Sequence, residues 1–291
     1  VQRAMVRTLP GFARADLLRP GYAVEYDYVP PTELRASLET RRVAGLYFCG
    51  QLNGTSGYEE AAAQGLIAGI NAARAARGEA AIVLGRGEAY IGVLIDDLVT
   101  RGVDEPYRML SSRAEHRVVL RHDNADLRLC ELGFSIGLLP PEVHEAFEAR
   151  RALLVDAISR ADTIRSAAGS VAERLRRPSV TAADVAADLP VDSEILERVA
   201  IEIKLAGYVK RQEVAIARAA RDESTEVPED FAFGQVSALS LEAREKFARF
   251  KPRSLGAAAR ISGISPADVA ILSVALHRAR ARASVAVAAA V

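Results

Sequence analysis

The sequence has no tryptophan, only two cysteines and no surplus of either charge. Each shortage excludes something. Aromatic residues make up 5% of the chain, too few for a base-stacking platform of the single-strand-binding type. Cys49 and Cys130 cannot build a disulfide framework, and no Cys-x-x-Cys pair is present. A reducing, cytosolic compartment is the expectation. Lys and Arg total 38 against 38 Asp and Glu, which argues against a uniformly basic nucleic-acid coat and against an acidic disordered tail. No apolar run reaches the roughly 18 residues of a membrane span. The opening Val-Gln-Arg-Ala-Met carries no signal-peptide core and no initiator Met, so the chain reads as a piece of something longer.

What is present is a chain of 291 residues, half of them hydrophobic, with enough apolar side chain to bury a core. Alanine is over-used, which favours helix. The first eighty residues read as α/β. Tyr22–Tyr28 alternates and predicts a strand stopped by Pro30-Pro31, and the apolar run from Gly45 to Gly50 predicts a second, buried one. A Gly-rich turn, Gly50–Gly57, leads into a small-residue helix over 58–76 that ends near Gly78. Residues 81–130 predict a connecting helix over 89–98 and then a charged, loop-rich stretch. Beyond Pro140-Pro141 the pattern is helical: one long helix over 142–166, a capped start at Thr181-Ala-Ala-Asp184, and a helix from Asp192 or Ser193 to about Arg221. Asp222–Asp230 holds five acids and one Pro and reads as an exposed linker. Three short helices follow, started by Ser240, Ser254 and Ser265-Pro266-Ala267-Asp268, with a frayed Ala/Val end over 285–291.

The turn Gly50-Gln51-Leu52-Asn53-Gly54-Thr55-Ser56-Gly57 is the sharpest chemical feature. It joins a predicted strand to a helix N-terminus, where unpaired N–H groups and the helix dipole suit an anion or an electron-rich ring edge. It is neither a P-loop nor a Gly-x-Gly-x-x-Gly fingerprint. On spacing alone, a ligand contact and a simple tight turn are both open. Asp96-Asp97 reads as capping or salt bridging, because adjacent helix residues point about 100° apart and chelate poorly. The four histidines look scattered, and no metal site is expected. Cys49 and Cys130 read as small packed residues rather than nucleophiles. Between residues 106 and 122, four arginines, Arg108, Arg113, Arg117 and Arg121, face one acid, Glu115. They suit phosphate, or a solvated face with internal ion pairs. Lys204, Lys210 and Arg211, with Tyr208, form a similar group on a predicted helix. Residues 241–291 hold nine Lys/Arg against three acids, and 255–268 has the outline of a helix-turn-helix with Gly263 in its turn.

Several long blocks resemble the tRNA uridine-modifying flavoprotein family MnmG, also called GidA. They are Arg19-Pro-Gly-Tyr-Ala-Val-Glu-Tyr-Asp27, Gly45-Leu-Tyr-Phe-Cys-Gly-Gln-Leu-Asn-Gly-Thr-Ser-Gly-Tyr-Glu-Glu-Ala-Ala-Ala-Gln-Gly65 and Ala89-Tyr-Ile-Gly-Val-Leu-Ile-Asp-Asp-Leu98. Glu105-Pro-Tyr-Arg-Met-Leu-Ser-Ser-Arg-Ala-Glu115, His122-Asp-Asn-Ala-Asp-Leu-Arg128, Gln235–Ser240 and Arg260–Pro266 continue the series in family order. His116 stands where the family commonly has Tyr. The blocks correspond to the C-terminal part of the family's length.

The resemblance implies a mixed, mainly α fold: residues 1–80 as the closing α/β segment of a two-part, Rossmann-like FAD domain, 81–130 a connecting helix and basic loop, 131–225 a helical domain and 226–291 a terminal helical subdomain. It implies that Gln51 meets the flavin, with Gly50, Asn53, Gly54, Gly57 and Tyr58 around it. It further implies tRNA contact by Arg108, Arg113, Arg117, Arg121, Lys204, Lys210 and Arg211, and docking of the GTPase MnmE by the tail. The family's chemistry uses FAD, NADH and methylene-tetrahydrofolate to place an aminomethyl or carboxymethylaminomethyl group on C5 of the wobble uridine, in a homodimer. The Gly-x-Gly-x-x-Gly site, the NADH region and the catalytic cysteines belong to sequence not present in this chain. Weak or no FAD binding by the chain alone is therefore expected. The alternative is a non-enzymatic helical nucleic-acid-binding module with a structural α/β stub.

Overall fold

A computed structural model describes all residues except Val24, Glu229, Ser262, Ala290 and Val291; for Glu223, Ser224 and residues 280–289 only the backbone is described. Ten α-helices carry the described structure: α1 (Gln2–Arg7), α2 (Tyr58–Ala76), α3 (Tyr90–Arg101), α4 (Ala125–Ser135), α5 (Pro141–Thr163), α6 (Val171–Leu175), α7 (Ser193–Ser224), α8 (Leu241–Phe250), α9 (Leu255–Ala259) and α10 (Pro266–Ala289). One two-residue hairpin, β1 (Arg165–Ser166) and β2 (Gly169–Ser170), is the only sheet among the described residues. The chain is mainly α, as expected.

Local chemistry sets the helix ends. α2 starts after Gly57 with Glu59 and Glu60 in its first turn, where acids complement the dipole, and stops before Gly78, whose φ is +71°. α5 takes Pro141 at its first position. Ser170 and Glu173 form a complete capping box on α6, and Asp192 caps α7. Ser240 and Ser254 accept the N–H groups of Ala243 and Ala257 at the starts of α8 and α9. Ser265 and Asp268 exchange hydrogen bonds at the start of α10. Lys251 ends α8 in the left-handed region, φ +44°, ahead of Pro252.

Three apolar centres follow from these helices. In the first, Leu34, Leu38, Ile67 and Ile95 join α2 and α3 to the loop before the glycine turn, with Leu94, Leu98 and Tyr107, and a smaller group of Val93, Ala114 and Leu120, on α3's other faces. The second packs α5, α6 and α7 around Leu154, Ala157, Leu175, Leu189 and Val199. The third surrounds Phe247 with Phe233, Leu239, Leu255, Leu272 and Leu276. α7 touches both helical centres, meeting α5 and α6 at one end and α9 at the other.

The structure corrects several expectations. Neither predicted strand forms. The described part of Tyr22–Tyr28 is irregular and largely exposed, and Val24 lies outside the described residues. Gly45–Gly50 has one isolated bridge, Glu39 to Tyr47, in place of a sheet. A strand needs a neighbour to accept its ladder of hydrogen bonds, and the described chain offers none there. The long helix stops at Thr163, where the β1–β2 hairpin turns on Gly169 at φ +105°. Thr181 starts only a 3₁₀ turn, in which Asp184 accepts from Thr181's backbone N–H and hydroxyl. Residues 222–230 are not simply a solvated linker: α7 continues to Ser224, Glu226 bridges to Ser254, and Val227 is buried in the third centre. α10 is 24 residues long, not short, and its backbone stays helical through 285–289; Ala290 and Val291 lie outside the described residues. α4 straddles residue 130, where a boundary was expected. Among the described residues, no helix is long and apolar enough to cross a membrane.

Candidate functional site

The glycine turn is a single 3₁₀ turn, Gly50–Asn53, closed by Gly54 in the left-handed region. The glycines answer to packing as much as to any ligand. Gly50 and Gly54 hold φ near +68° and +71°, and a Cβ on Gly54 would lie 2.7 Å from Val103 Cγ2. A Cβ on Gly57 would overlap Glu60 Oε2. Asn53 faces inward: its amide donates to Phe48 O (3.0 Å) and Gln64 Oε1 (2.9 Å), while Gln64 Oε1 also accepts from Gly50 N–H (3.0 Å). Gln51 and Tyr58 point outward and are exposed. The six expected cofactor residues thus divide into a buried brace (Gly50, Asn53, Gly57), an outward pair (Gln51, Tyr58) and Gly54 between them.

Glu60 is buried and accepts from Met109 N–H (3.0 Å) and Arg108 Nε (3.2 Å). The Met109 amide, more than the arginine, holds its carboxyl below the usual glutamate range. A fixed carboxylate in the first turn of α2 already answers the dipole, so this helix end is poorly suited to phosphate. It suits an uncharged ring edge. Gln51 lies on an open cleft of about 290 Å³ with Tyr26, Tyr28, Ser56 and the 103–106 loop. That is room for part of a flavin ring, and below the range typical of whole ligand pockets. Asn53 Oδ1, Thr55 Oγ1 and Gln64 Nε2 are buried at the same turn without a partner in the structure. These residues fit one side of a flavin site.

The basic residues sort by what already holds them. Arg121 is 12% exposed and pairs with Asp123 (3.0 Å) and Glu202, so its guanidinium ties the loop to α7. Lys204 donates to Val180 O at 2.6 Å. Arg108 is on Glu60, and Arg113 lies over the Tyr107 ring at 4.6 Å with its Nε on Arg108 O. Arg117, Lys210 and Arg211 are exposed, and Arg211 lies over the Tyr208 ring at 4.8 Å. Gln212 joins the two groups: its side chain accepts from Val119 N–H (3.2 Å) and reaches Glu115 O (3.5 Å), seating the 115–119 loop on α7 beside Tyr208 and Arg211. Two segments far apart in sequence are thus neighbours in the fold.

Sequence reasoning missed Arg86. Its guanidinium, 12% exposed, donates to Asp96 (2.9 Å), Asp97 (2.8 Å), Glu115 (2.8 Å) and Arg113 O (3.1 Å). These carboxylates raise its pKa despite burial. Asp97 also accepts from Tyr107 OH at 2.9 Å, and burial beside that carboxylate pushes the phenol's pKa up. Asp96-Asp97 is thus a salt-bridge centre, as its spacing indicated. One histidine is less scattered than expected: His144 lies within 4.8 Å of Glu131 and Glu148. Arg151 already pairs with both carboxylates (3.1 and 2.9 Å), and His144 stacks on Phe134. The His144–Glu148 spacing of four was the available signal. Both cysteines are free and partly buried; burial raises the Cys130 thiol's pKa.

Fold and site together define a mainly helical chain in which a tight glycine turn precedes helical units that carry the exposed Lys210 and Arg211. Comparison with known proteins gives the lineage. The family described as "Glucose inhibited division protein A" matches residues 1–80. The "tRNA modifying enzyme MnmG/GidA C-terminal helical domain" matches 141–213, and the "C-terminal helical bundle" of the same enzyme matches 215–290. The chain is 49% identical over 297 aligned residues to the tRNA uridine 5-carboxymethylaminomethyl modification enzyme MnmG of Lactobacillus delbrueckii, covering 94% of this chain and 47% of that protein. It is 46% identical to the enzyme of the same name from Geobacillus thermodenitrificans, covering 96% and 48%. The form II crystal structure of Aquifex aeolicus GidA superposes with a TM-score of 0.74 at 41% identity, covering 95% of this chain and 48% of that one. The chain belongs to the MnmG/GidA family, and spans about half the length of the curated relatives it matches.

Proposed function

We propose that this chain supplies one side of the flavin site and the RNA-docking arm of a FAD-dependent tRNA uridine-modifying enzyme. The observation that carries the reading is the seating of the loop that bears Arg117 on α7 at Gln212, the helix that also bears the exposed Lys210, Arg211 and Tyr208. Arginine and lysine held on a helix and its packed loop suit an RNA backbone, and tyrosine offers a stacking face. Arg108 and Arg113 flank this surface, partly engaged; Arg121 and Lys204 support it from within.

In this reading FAD supplies redox chemistry when bound, with NADH as its reductant. Gln51 offers an amide to the ring's polar edge. The Asn53–Gln64 brace fixes the turn beneath it, and Glu60 keeps α2's first turn anchored to Met109. The chain itself contributes no catalytic residue. The aminomethyl or carboxymethylaminomethyl transfer to C5 of the wobble uridine, the use of methylene-tetrahydrofolate, the pairing into homodimers and the cytoplasmic setting belong to the whole enzyme. For the GTPase MnmE, the open groove of about 890 Å³ between Phe231, Val236, Ile271 and Val274 offers an apolar seat edged by Arg278. The division at 1–80, 81–130, 131–225 and 226–291 is proposed for these duties, with α4 carrying the second segment into the third across residue 130.

The test is tRNA binding by the 291-residue chain across salt concentrations. Arg117→Glu with Lys210→Glu should weaken binding, and each lost phosphate contact should flatten the log–log salt slope by about one unit. Unchanged affinity would reject this surface. Tighter binding to duplex DNA than to tRNA would favour the non-enzymatic helical nucleic-acid module instead.

A further inference from the structure

α3 carries two adjacent carboxylates that point to different partners. Asp97 faces the loop: it takes Arg86, Tyr107 OH and, at longer range, Arg113 (3.9 Å). Asp96 faces the terminal bundle: it takes Arg86 at 2.9 Å and Arg260, the residue that closes α9, at 3.0 Å. Arg86 stands between the two acids. Its remaining donors go to Glu115 and to the backbone oxygen of Arg113. A continuous chain of charge-assisted bonds therefore runs from Arg260 through Asp96 and Arg86 to the ends of the 113–115 segment, which leads directly into Arg117. The side chains of Arg86, Asp96, Asp97 and Arg260 are all at most 21% exposed, so these bonds are screened far less than surface pairs.

We infer that Arg86 is a positioning residue for RNA docking, and that Arg260 couples the seating of the terminal bundle to the shape of the basic loop. The inference rests on the RNA-docking reading above. The physical ground is the sharing of Asp96. With Arg260 in place, Asp96 divides between two guanidiniums, and Arg86 keeps donors for Glu115 and Arg113 O. With Arg260 gone, the Asp96 carboxylate loses that guanidinium and pulls harder on Arg86, which is drawn toward α3. The loop then loses its anchor without any change in its own residues. Arg86 and Arg260 touch no RNA in this scheme. A change at residue 260 is thus felt at residues 113–117 through bonds that both units share.

The experiment uses the 291-residue chain and two readouts. Amide hydrogen exchange over residues 107–119, without RNA, reports loop order. tRNA affinity reports docking. Arg260→Gln should speed loop exchange severalfold and weaken tRNA binding severalfold. Arg117→Glu should weaken binding with loop exchange unchanged. Arg86→Gln leaves the buried Asp97 and the part-buried Asp96 short of a partner and risks misfolding, so Asp96→Asn serves as the second variant. It removes the pull on Arg86, which keeps Asp97, Glu115 and Arg113 O, so alone it should leave loop exchange near the parent rate. In the double variant it should reverse the effect of Arg260→Gln; a double variant exchanging as fast as Arg260→Gln would overturn the coupling. Loop exchange at the parent rate in Arg260→Gln would overturn the coupling. Faster exchange with parent tRNA affinity would overturn the positioning role. If the parent chain binds no tRNA, the docking reading falls, while the exchange result still decides the coupling.

Discussion

Gly57 has no space for a side chain, because Glu60 Oε2 occupies the place a Cβ would take. Gly57→Ala would push the Glu60 carboxylate off Met109 N–H and leave a buried charge short of its donor. The expected cost is about 1–3 kcal/mol, read as a lower melting temperature with the helix content of the folded state unchanged. The same carboxylate gives a pH signature. Its folded pKa lies below the ordinary glutamate value, so it stabilises the fold at neutral pH and loses that contribution as pH falls through the folded value. Asp268, held down first by the Ser265 hydroxyl and then by Ser240 N–H, behaves in the same way at the start of α10. Acid unfolding should therefore move to lower pH dependence in Glu60→Gln, seen as a flatter stability–pH profile below about pH 4.5. An unaltered profile would assign the acid sensitivity to other groups.

At the scale of elements, the capping chemistry was readable in advance because it is local. Ser240, Ser254 and Ser265–Asp268 begin α8, α9 and α10 where their side chains place them, and α2 spans the predicted residues 58–76. The strands were not readable, because a strand depends on a neighbour and the apolar run at 45–50 carries no record of whether one is present. Arg86 escaped for a related reason. Its three carboxylate partners lie 10 to 29 residues away, a separation no periodic pattern marks. Asn53 looked like a ligand contact in sequence and is a brace in the fold, since Gln64 sits on the buried side of α2. In the terminal bundle, Phe247 is fully buried between Phe233 and the helices around it. Phe247→Ala should cost about 3–5 kcal/mol and unfold this bundle ahead of the α5–α7 unit, visible as a split thermal transition. A single, slightly lowered transition would show the bundle to be less dependent on that ring.

For the whole molecule, the balanced total charge conceals an uneven distribution. Five acids lie within 222–230, and the segment from 241 onward carries a surplus of cations. Two exposed aromatic side chains of the first segment, Tyr26 and Tyr28, line the cleft beside Gln51 where a flavin ring would lie. With about 290 Å³ of cleft and no phosphate-type loop, the purified 291-residue chain should bind FAD weakly or not at all. Titration followed by flavin fluorescence checks this, and a bright, saturable flavin signal would overturn it.

α7 is 32 residues long, which at about 1.5 Å per residue makes a rod of roughly 48 Å. One end is gripped by α5 and α6, Gln212 holds the basic loop partway along, Ile216 lies against Gly87, and the far end meets α9. A rod held at both ends and twice in between is a strut. Its length, not its bending, fixes how far the terminal bundle stands from the α5–α7 unit, and any residue inserted or removed between Gln212 and Ser224 would rotate the bundle about 100° against the loop.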